Sequence, residues 1–85
     1  MTAEPERTAK IRADRELNCR GLQCPLPVLY TREALARMTT GEVLLVVATD
    51  PGSVVDFQRF SCLKQAELVA LREDGGEYVF LLRKP

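Results

Sequence analysis

Cys24 has the setting in this sequence that most favours chemistry. It lies in the stretch RGLQCPLPVL, after Gly21 and directly before Pro25, with Pro27 two positions further on. Glycine and proline are typical of turns, where the backbone lies near water, whereas an ordinary cysteine behaves as a small buried hydrophobe. The sequence therefore predicts that Cys24 is exposed and able to react as a nucleophile.

The helix expected after Cys24 bears on its acidity. A residue just before a helix faces unpaired backbone N–H groups and the positive end of the helix dipole, and both favour a thiolate. If Pro25 is the first helical residue, the N–H groups of Leu26 and Val28 are left for the sulfur, because proline has none. We therefore expect the pKa of Cys24 to lie below that of a free thiol.

Length and composition limit the function classes. With 85 residues, of which 46% are hydrophobic and 28% charged, the chain is long enough for one globular domain only. Its 12 Lys and Arg residues are balanced by 12 Asp and Glu residues, so no basic surface is expected to bind nucleic acid. No apolar run approaches the roughly 18 residues of a membrane span or resembles a signal peptide. We expect a cytoplasmic protein with no membrane partner.

The histidine and cysteine counts exclude further classes. With no histidine, a Cys–His hydrolase lacks its base, and three cysteines without a CxxC pair argue against a zinc site and a disulfide framework. We expect reduced thiols, no metal and no bound cofactor. Cys19 and Cys62 are interpreted as packing residues, in contrast to Cys24.

Six elements follow an N-terminal segment, residues 1–15, that is polar, charged and without apolar periodicity, and that we interpret as a mobile tail. The domain is expected to span residues 16–85. Its elements are a strand at 16–20, a helix from Pro25 or Pro27 to about Met38 that ends before Gly41, a strand at 42–48, a helix from Pro51 to about Gln65, and two strands, ELVALRE and EYVFLLR, joined at Asp74-Gly75-Gly76.

The apolar pattern predicts which side of each helix is buried. In the second helix, Val54, Phe57 and Phe60 are expected to face inward, and Asp50 is interpreted as its N-cap rather than as a catalytic carboxylate. In the first helix, the apolar residues at helical spacing are Val28, Leu29, Leu35, Ala36 and Met38.

The order of elements is strand, helix, strand, helix, strand, strand. Right-handed crossovers put both helices on one face of the sheet when the strands are added in one direction. The expected fold is a two-layer α/β sandwich, whose second sheet face is solvated unless a partner covers it.

The sequence resembles the TusA/SirA family of small sulfur-carrier proteins. The residues that carry the resemblance are LNCRGLQCPLPVLYTREAL, then GEVLLVVATDPGSVVDF, and a closing hairpin that ends in FLLRK. The family signature Cys-Pro-x-Pro is met by Cys24, Pro25 and Pro27, with Gly21 and Leu22 before it. A second landmark, Asp-Pro, is met at Asp50. Together these landmarks extend from about Leu17 to Lys84.

The resemblance implies a β-α-β-α-β-β sandwich with a mixed four-stranded sheet and two helices on one face. It implies that Cys24 receives sulfane sulfur as a persulfide from a cysteine desulfurase or a rhodanese-like donor. An acceptor protein then takes the sulfur, for tRNA thiolation, cofactor synthesis or sulfur oxidation. The site-shaping residues are Gly21, Leu22, Pro25, Pro27 and Asp50, with Arg20 near enough in sequence to support the thiolate or to meet an acidic partner.

Two other interpretations stay open at this point. A non-catalytic regulatory or protein-binding module of the same fold would take up no sulfur at Cys24. A thiol-redox protein would form a reversible disulfide between Cys24 and either Cys19 or Cys62, and this oxidation would lower the mass by two hydrogen atoms.

Overall fold

The computed structural model describes residues 13–85, which fold into a four-stranded sheet and two helices. Their bounds are β1 Arg15–Cys19, α1 Leu26–Ala36, β2 Val43–Ala48, α2 Gly52–Cys62, β3 Glu67–Asp74 and β4 Glu77–Arg83. Residues 1–12, most of the predicted tail, lie outside the described residues. Of the rest of that segment, Asp14 exchanges hydrogen bonds with Val43, and Arg15 opens β1.

The sheet is mixed, and its strand order is β1-β2-β4-β3. β1 pairs with β2 in parallel, while β4 lies antiparallel to both β2 and β3. The connections through α1 and α2 lead in the same direction across the sheet. Since connections of this kind are right-handed as a rule, both helices lie on one face. The predicted two-layer sandwich, with its mixed sheet, is confirmed.

The core lies between the helices and one sheet face. Phe57 of α2 and Phe80 of β4 are both fully buried, with ring centroids 4.3 Å apart, and Phe60 packs edge-on against Phe57. Cys19, at the end of β1, is also fully buried, which confirms its interpretation as a packing residue. Burying an aromatic side chain of this size contributes about 1.5–3 kcal/mol, so this cluster is central to stability.

The buried side of α1 differs in part from the apolar pattern. Pro27, Thr31 and Leu35 are buried, whereas Leu29 and Ala36 are exposed. In α2, Phe57 and Phe60 are buried and Val54 packs against the core, as predicted. The physical reason for the difference is that the buried side of α1 repeats every four residues, at Pro27, Thr31 and Leu35, and so includes a proline and a threonine that an apolar pattern does not select.

Both helices end earlier than the sequence predicts. At the end of α2, the N–H of Gln65 donates to the carbonyl of Phe60 and that of Lys64 to Ser61, the bond pattern of a Schellman motif. Lys64 has a positive φ of 64°, which a helix cannot continue. The hairpin turn at Gly75 and Gly76 has φ of 60° and 86°, which fits the type I′ turn expected of two glycines.

Candidate functional site

Cys24 lies in the loop between β1 and α1, on the surface of the protein. The loop is tied to the next β–α connection, because the N–H of Gly21 donates to Oγ1 of Thr49 at 2.9 Å. Gly21 has a positive φ of 80°, a backbone conformation that favours glycine. Leu22 packs against the core from the same loop. The loop therefore presents Cys24 from an anchored backbone.

Pro25 and Pro27 shape the entrance to α1. Pro25 occupies the N-cap position, its peptide bond with Cys24 is cis, and Pro27 is buried in the first turn. The N–H of Leu26 donates to the carbonyl of Gln23 at 2.8 Å. The expectation that this N–H serves the sulfur of Cys24 is therefore wrong, since the loop itself uses it.

Asp50 joins the two loops of the site. Its Oδ1 accepts the N–H of Gly52, the first residue of α2, at 3.2 Å, so the side chain caps the helix as predicted, although from one position before Pro51, which occupies the N-cap. Its Oδ2 accepts the backbone N–H of Cys24 at 2.5 Å. One carboxylate thus accepts a backbone N–H at the start of α2 and also holds the backbone of Cys24 in place.

Asp56 of α2 is a site residue that sequence reasoning missed. Its Oδ2 accepts a hydrogen bond from the Sγ–H of Cys24. Gly52, one turn earlier, leaves room for the cysteine, since a β-carbon there would lie 3.3 Å from the Cβ of Cys24. Gly52, Asp56 and Arg59 are spaced four and three residues apart, so they share one side of α2. That spacing was the available signal, although it does not say what the side faces.

The surroundings of Cys24 raise its pKa above the ordinary value of a thiol. The hydrogen bond to Asp56 is the largest cause, followed by desolvation and by the negative charges of Asp56 and Asp50, while Arg59 acts in the opposite direction. The expectation of a lowered pKa is therefore wrong. The two carboxylates favour the thiol, because a negative charge beside a thiol disfavours a second one.

Arg20 is engaged elsewhere. Its Nε and Nη2 donate to both carboxylate oxygens of Glu77, at 2.6 and 3.2 Å, and Nη1 donates to Asn18. The pair lowers the pKa of Glu77 and raises that of Arg20. The structure brings Asp50 and the two prolines to Cys24 but directs Arg20 to β4.

The other two cysteines differ from each other. Burial raises the pKa of Cys19. Cys62, at the end of α2, is exposed, so its interpretation as a packing residue is wrong. It is the last residue of the helix, past the buried turn formed by Phe57 and Phe60.

Residues 13–85 contain no group of three or more His, Cys, Asp or Glu side chains placed to hold a metal ion. Neither helix in this part of the chain is long and apolar enough to cross a membrane.

Comparison with known proteins gives one consistent result. The sequence model of the family described as Sulfurtransferase TusA matches residues 15–84. The chain is 48% identical over 71 residues to the sulfur carrier protein TusA of Allochromatium vinosum, a match that covers 84% of this chain and 93% of that protein. A crystal structure of a SirA-like protein from Desulfitobacterium hafniense has the same fold, with a TM-score of 0.70 at 23% identity, over 81% of this chain and 95% of that one. The chain therefore belongs to the TusA family of sulfurtransferases, and its function is that of a sulfur carrier.

Proposed function

We propose that this sulfur carrier holds its cargo on Cys24, as a persulfide. The supporting observation is the combination of an exposed thiol with a backbone fixed by Asp50, at 2.5 Å from the N–H of Cys24. Exposure allows a donor and an acceptor to reach the same sulfur in turn, and the fixed backbone presents that sulfur to both in one geometry. Cys19 lacks exposure, and Cys62 lies at a helix end outside this loop.

Loading exchanges one sulfur–sulfur bond for another. The thiolate of Cys24 attacks the terminal sulfur of a donor persulfide, the bond between the donor's two sulfurs breaks, and the donor leaves as a thiol with the proton that Cys24 lost. In unloading, a thiolate of the acceptor attacks the outer sulfur on Cys24 and releases the Cys24 thiolate, which takes up a proton. Neither step needs an oxidant, a reductant, a metal or a bound cofactor.

A sulfur carrier works between a donor and an acceptor. We propose a cysteine desulfurase or a rhodanese-like protein as the donor, because such enzymes present sulfane sulfur as a persulfide. The acceptor is a protein of tRNA thiolation, cofactor synthesis or sulfur oxidation. A thiol that must stay reduced between partners favours a cytoplasmic location.

A thiol-redox function that pairs Cys24 with Cys62 is disfavoured by the positions of these two cysteines. Cys24 lies against Gly52 at the start of α2, and Cys62 is at its end, ten residues and about 15 Å further along the helix axis. A disulfide needs Cα atoms about 4.4–6.8 Å apart. A bond between these two cysteines would require α2 to unfold.

The proposal is tested by loading the protein with sulfur. Incubation with a cysteine desulfurase and cysteine, or with a rhodanese and thiosulfate, should add the mass of one sulfur atom, and dithiothreitol should remove it. Peptide mass should locate the added sulfur on Cys24. Cys24→Ser should abolish the gain, and the matched control Cys62→Ser, at the other exposed cysteine, should retain it.

The outcomes separate the interpretations. If Cys24→Ser still accepts sulfur, Cys24 is not the carrier residue. If the folded wild type accepts none from either donor system, the alternative of a non-catalytic regulatory module of this fold takes precedence.

A further inference from the structure

The thiol of Cys24 has a specific partner on another element. Its Sγ–H donates to Oδ2 of Asp56, although the two residues are 32 positions apart in the chain. Asp56 is half-buried on α2, one turn after Gly52, which lies against the Cβ of Cys24. A carboxylate that accepts the S–H bond stabilises the thiol and opposes the thiolate.

The charges around the sulfur act mostly in the same direction. Asp50, in the loop before α2, adds a second carboxylate, and Arg59 of α2 supplies the opposing positive charge. Within residues 13–85, no charged side chain of α1 is among the groups that act on the sulfur. Both oxygens of Asp50 are already used by the N–H groups of Cys24 and Gly52. Asp56 is therefore the carboxylate that contacts the proton itself.

We propose that Asp56 is a positioning residue that holds the proton on the sulfur of Cys24 and so keeps the free carrier in its unreactive thiol form until a donor docks. This inference rests on the proposed function of Cys24 as the loaded residue. The thiolate is the form that is alkylated and oxidised. A carrier that travels between partners as a thiol is protected from both reactions.

Asp56 does not act here as a general base. Carboxylates are much weaker bases than thiolates, so the shared proton stays on the sulfur. The donor therefore has to provide what the free carrier lacks, namely a cation or a competing hydrogen-bond donor at Asp56. Removing the carboxylate should slow the reaction of Cys24 if Asp56 is a general base, and should speed it if Asp56 holds the proton on the sulfur. A rate measurement therefore separates the two roles.

The test is the rate of iodoacetamide labelling of Cys24 as a function of pH, resolved by peptide mass. Asp56→Asn keeps the size of the side chain and removes its charge. We expect its labelling profile to shift to lower pH and its rate at neutral pH to rise severalfold, since the thiolate fraction changes tenfold for each unit of pKa. Asp56→Glu should stay near the wild type, as should Glu33→Gln, the same charge change on the exposed side of α1.

Arg59→Gln provides a second variant with the opposite sign. It removes the cation that favours the thiolate, so labelling of Cys24 should slow and its profile should shift to higher pH. Cys19 reports folding in every sample, because it is buried and labels only when the protein unfolds. If Asp56→Asn exposes Cys19, Asp56→Ser, which also removes the carboxylate, takes its place in the comparison.

An unchanged or slower rate in folded Asp56→Asn would overturn the inference, whatever the profile of Arg59→Gln. Labelling requires no sulfur donor, so this result is independent of the loading experiment. If labelling behaves as expected and Cys24 takes up no sulfur, the proposed carrier residue is wrong, and what stands is only that Asp56 holds the proton on the thiol of Cys24.

Discussion

The carboxylate of Asp50 accepts the backbone N–H of Cys24 at 2.5 Å, across 26 positions of sequence. The same carboxylate caps α2 through the N–H of Gly52. The stability of the second helix and the geometry of the Cys24 loop therefore depend on one side chain, and a change at Asp50 should affect both.

Asp50→Ala tests this coupling. It removes the cap of α2 and the anchor of the Cys24 backbone, so we expect the free energy of unfolding to fall by about 1–2 kcal/mol, as measured by urea denaturation. Asp50→Asn keeps one acceptor oxygen and should lose less. The coupling would be refuted if Asp50→Ala unfolded at the same urea concentration as the wild type.

The three cysteines should be labelled at different rates, and their exposure alone does not predict the order. At neutral pH we expect iodoacetamide to modify Cys62 faster than Cys24, and Cys19 only after unfolding. Cys62 is exposed, and among residues 13–85 no side chain holds its sulfur in a hydrogen bond, whereas Asp56 holds the thiol of Cys24. A short pulse followed by peptide mass analysis measures all three rates in one sample.

The sequence favours the opposite order, because it predicts an exposed Cys24 with a lowered pKa and a packed Cys62. As the pH rises, the rate at Cys24 should keep increasing beyond the range in which a free thiol is already ionised, because its pKa is raised. Faster labelling of Cys24 than of Cys62 at neutral pH would show that its carboxylate neighbours do not control its reactivity.

The difference between expectation and structure has a clear physical origin. The order of the elements and the turn at Gly75 and Gly76 depend on local patterns, namely apolar periodicity and the backbone freedom of glycine, and these could be predicted. The acidity of Cys24 depends on Asp50 and Asp56, which reach it only after α2 packs beside the loop. No local pattern contains that contact.

As with the fold, the part of the site that depends on neighbouring residues could be predicted from the sequence, and the part that depends on packing could not. Cys24 and its prolines are adjacent in sequence, so a motif identifies them, and the capping role of Asp50 follows from the proline after it. Asp56 and Gly52 belong to the site because they lie on the side of α2 that faces Cys24, and the sequence does not show which side that is. Arg20, although only four positions from Cys24, is drawn to Glu77 by a bidentate ion pair with β4.

Lys64 offers a change that should stabilise the protein. It has φ of 64° in the motif that ends α2, a conformation that costs a non-glycine residue about 1 kcal/mol. We expect Lys64→Gly to raise the free energy of unfolding by up to about that amount in urea denaturation. Lys64→Ala removes the same charge and retains the strain, so it should give no gain. If both variants changed the free energy of unfolding equally, the cause would be the lost charge rather than the relieved backbone strain.

Gly52 should matter for sulfur transfer more than for stability. A β-carbon at this position would lie 3.3 Å from the Cβ of Cys24 and 3.7 Å from both carboxylate oxygens of Asp50. The first contact is tighter than ordinary packing, so the Cys24 loop has to move by a few tenths of an ångström. Alanine is the better helix former by up to about 1 kcal/mol, which offsets the cost of that movement.

We therefore expect Gly52→Ala to unfold near the wild-type urea midpoint and to load sulfur more slowly, with a larger effect for Gly52→Val, whose branched side chain reaches further toward the thiol. The measurement is the initial rate of sulfur uptake from a cysteine desulfurase, set beside the unfolding midpoint of each variant. Gln58→Ala, on the opposite, exposed side of α2, is the matched control and should load at the wild-type rate. If Gly52→Val took up sulfur at the wild-type rate, the Cys24 loop would be able to move without cost. The fixed position of Cys24 would then have no part in sulfur transfer.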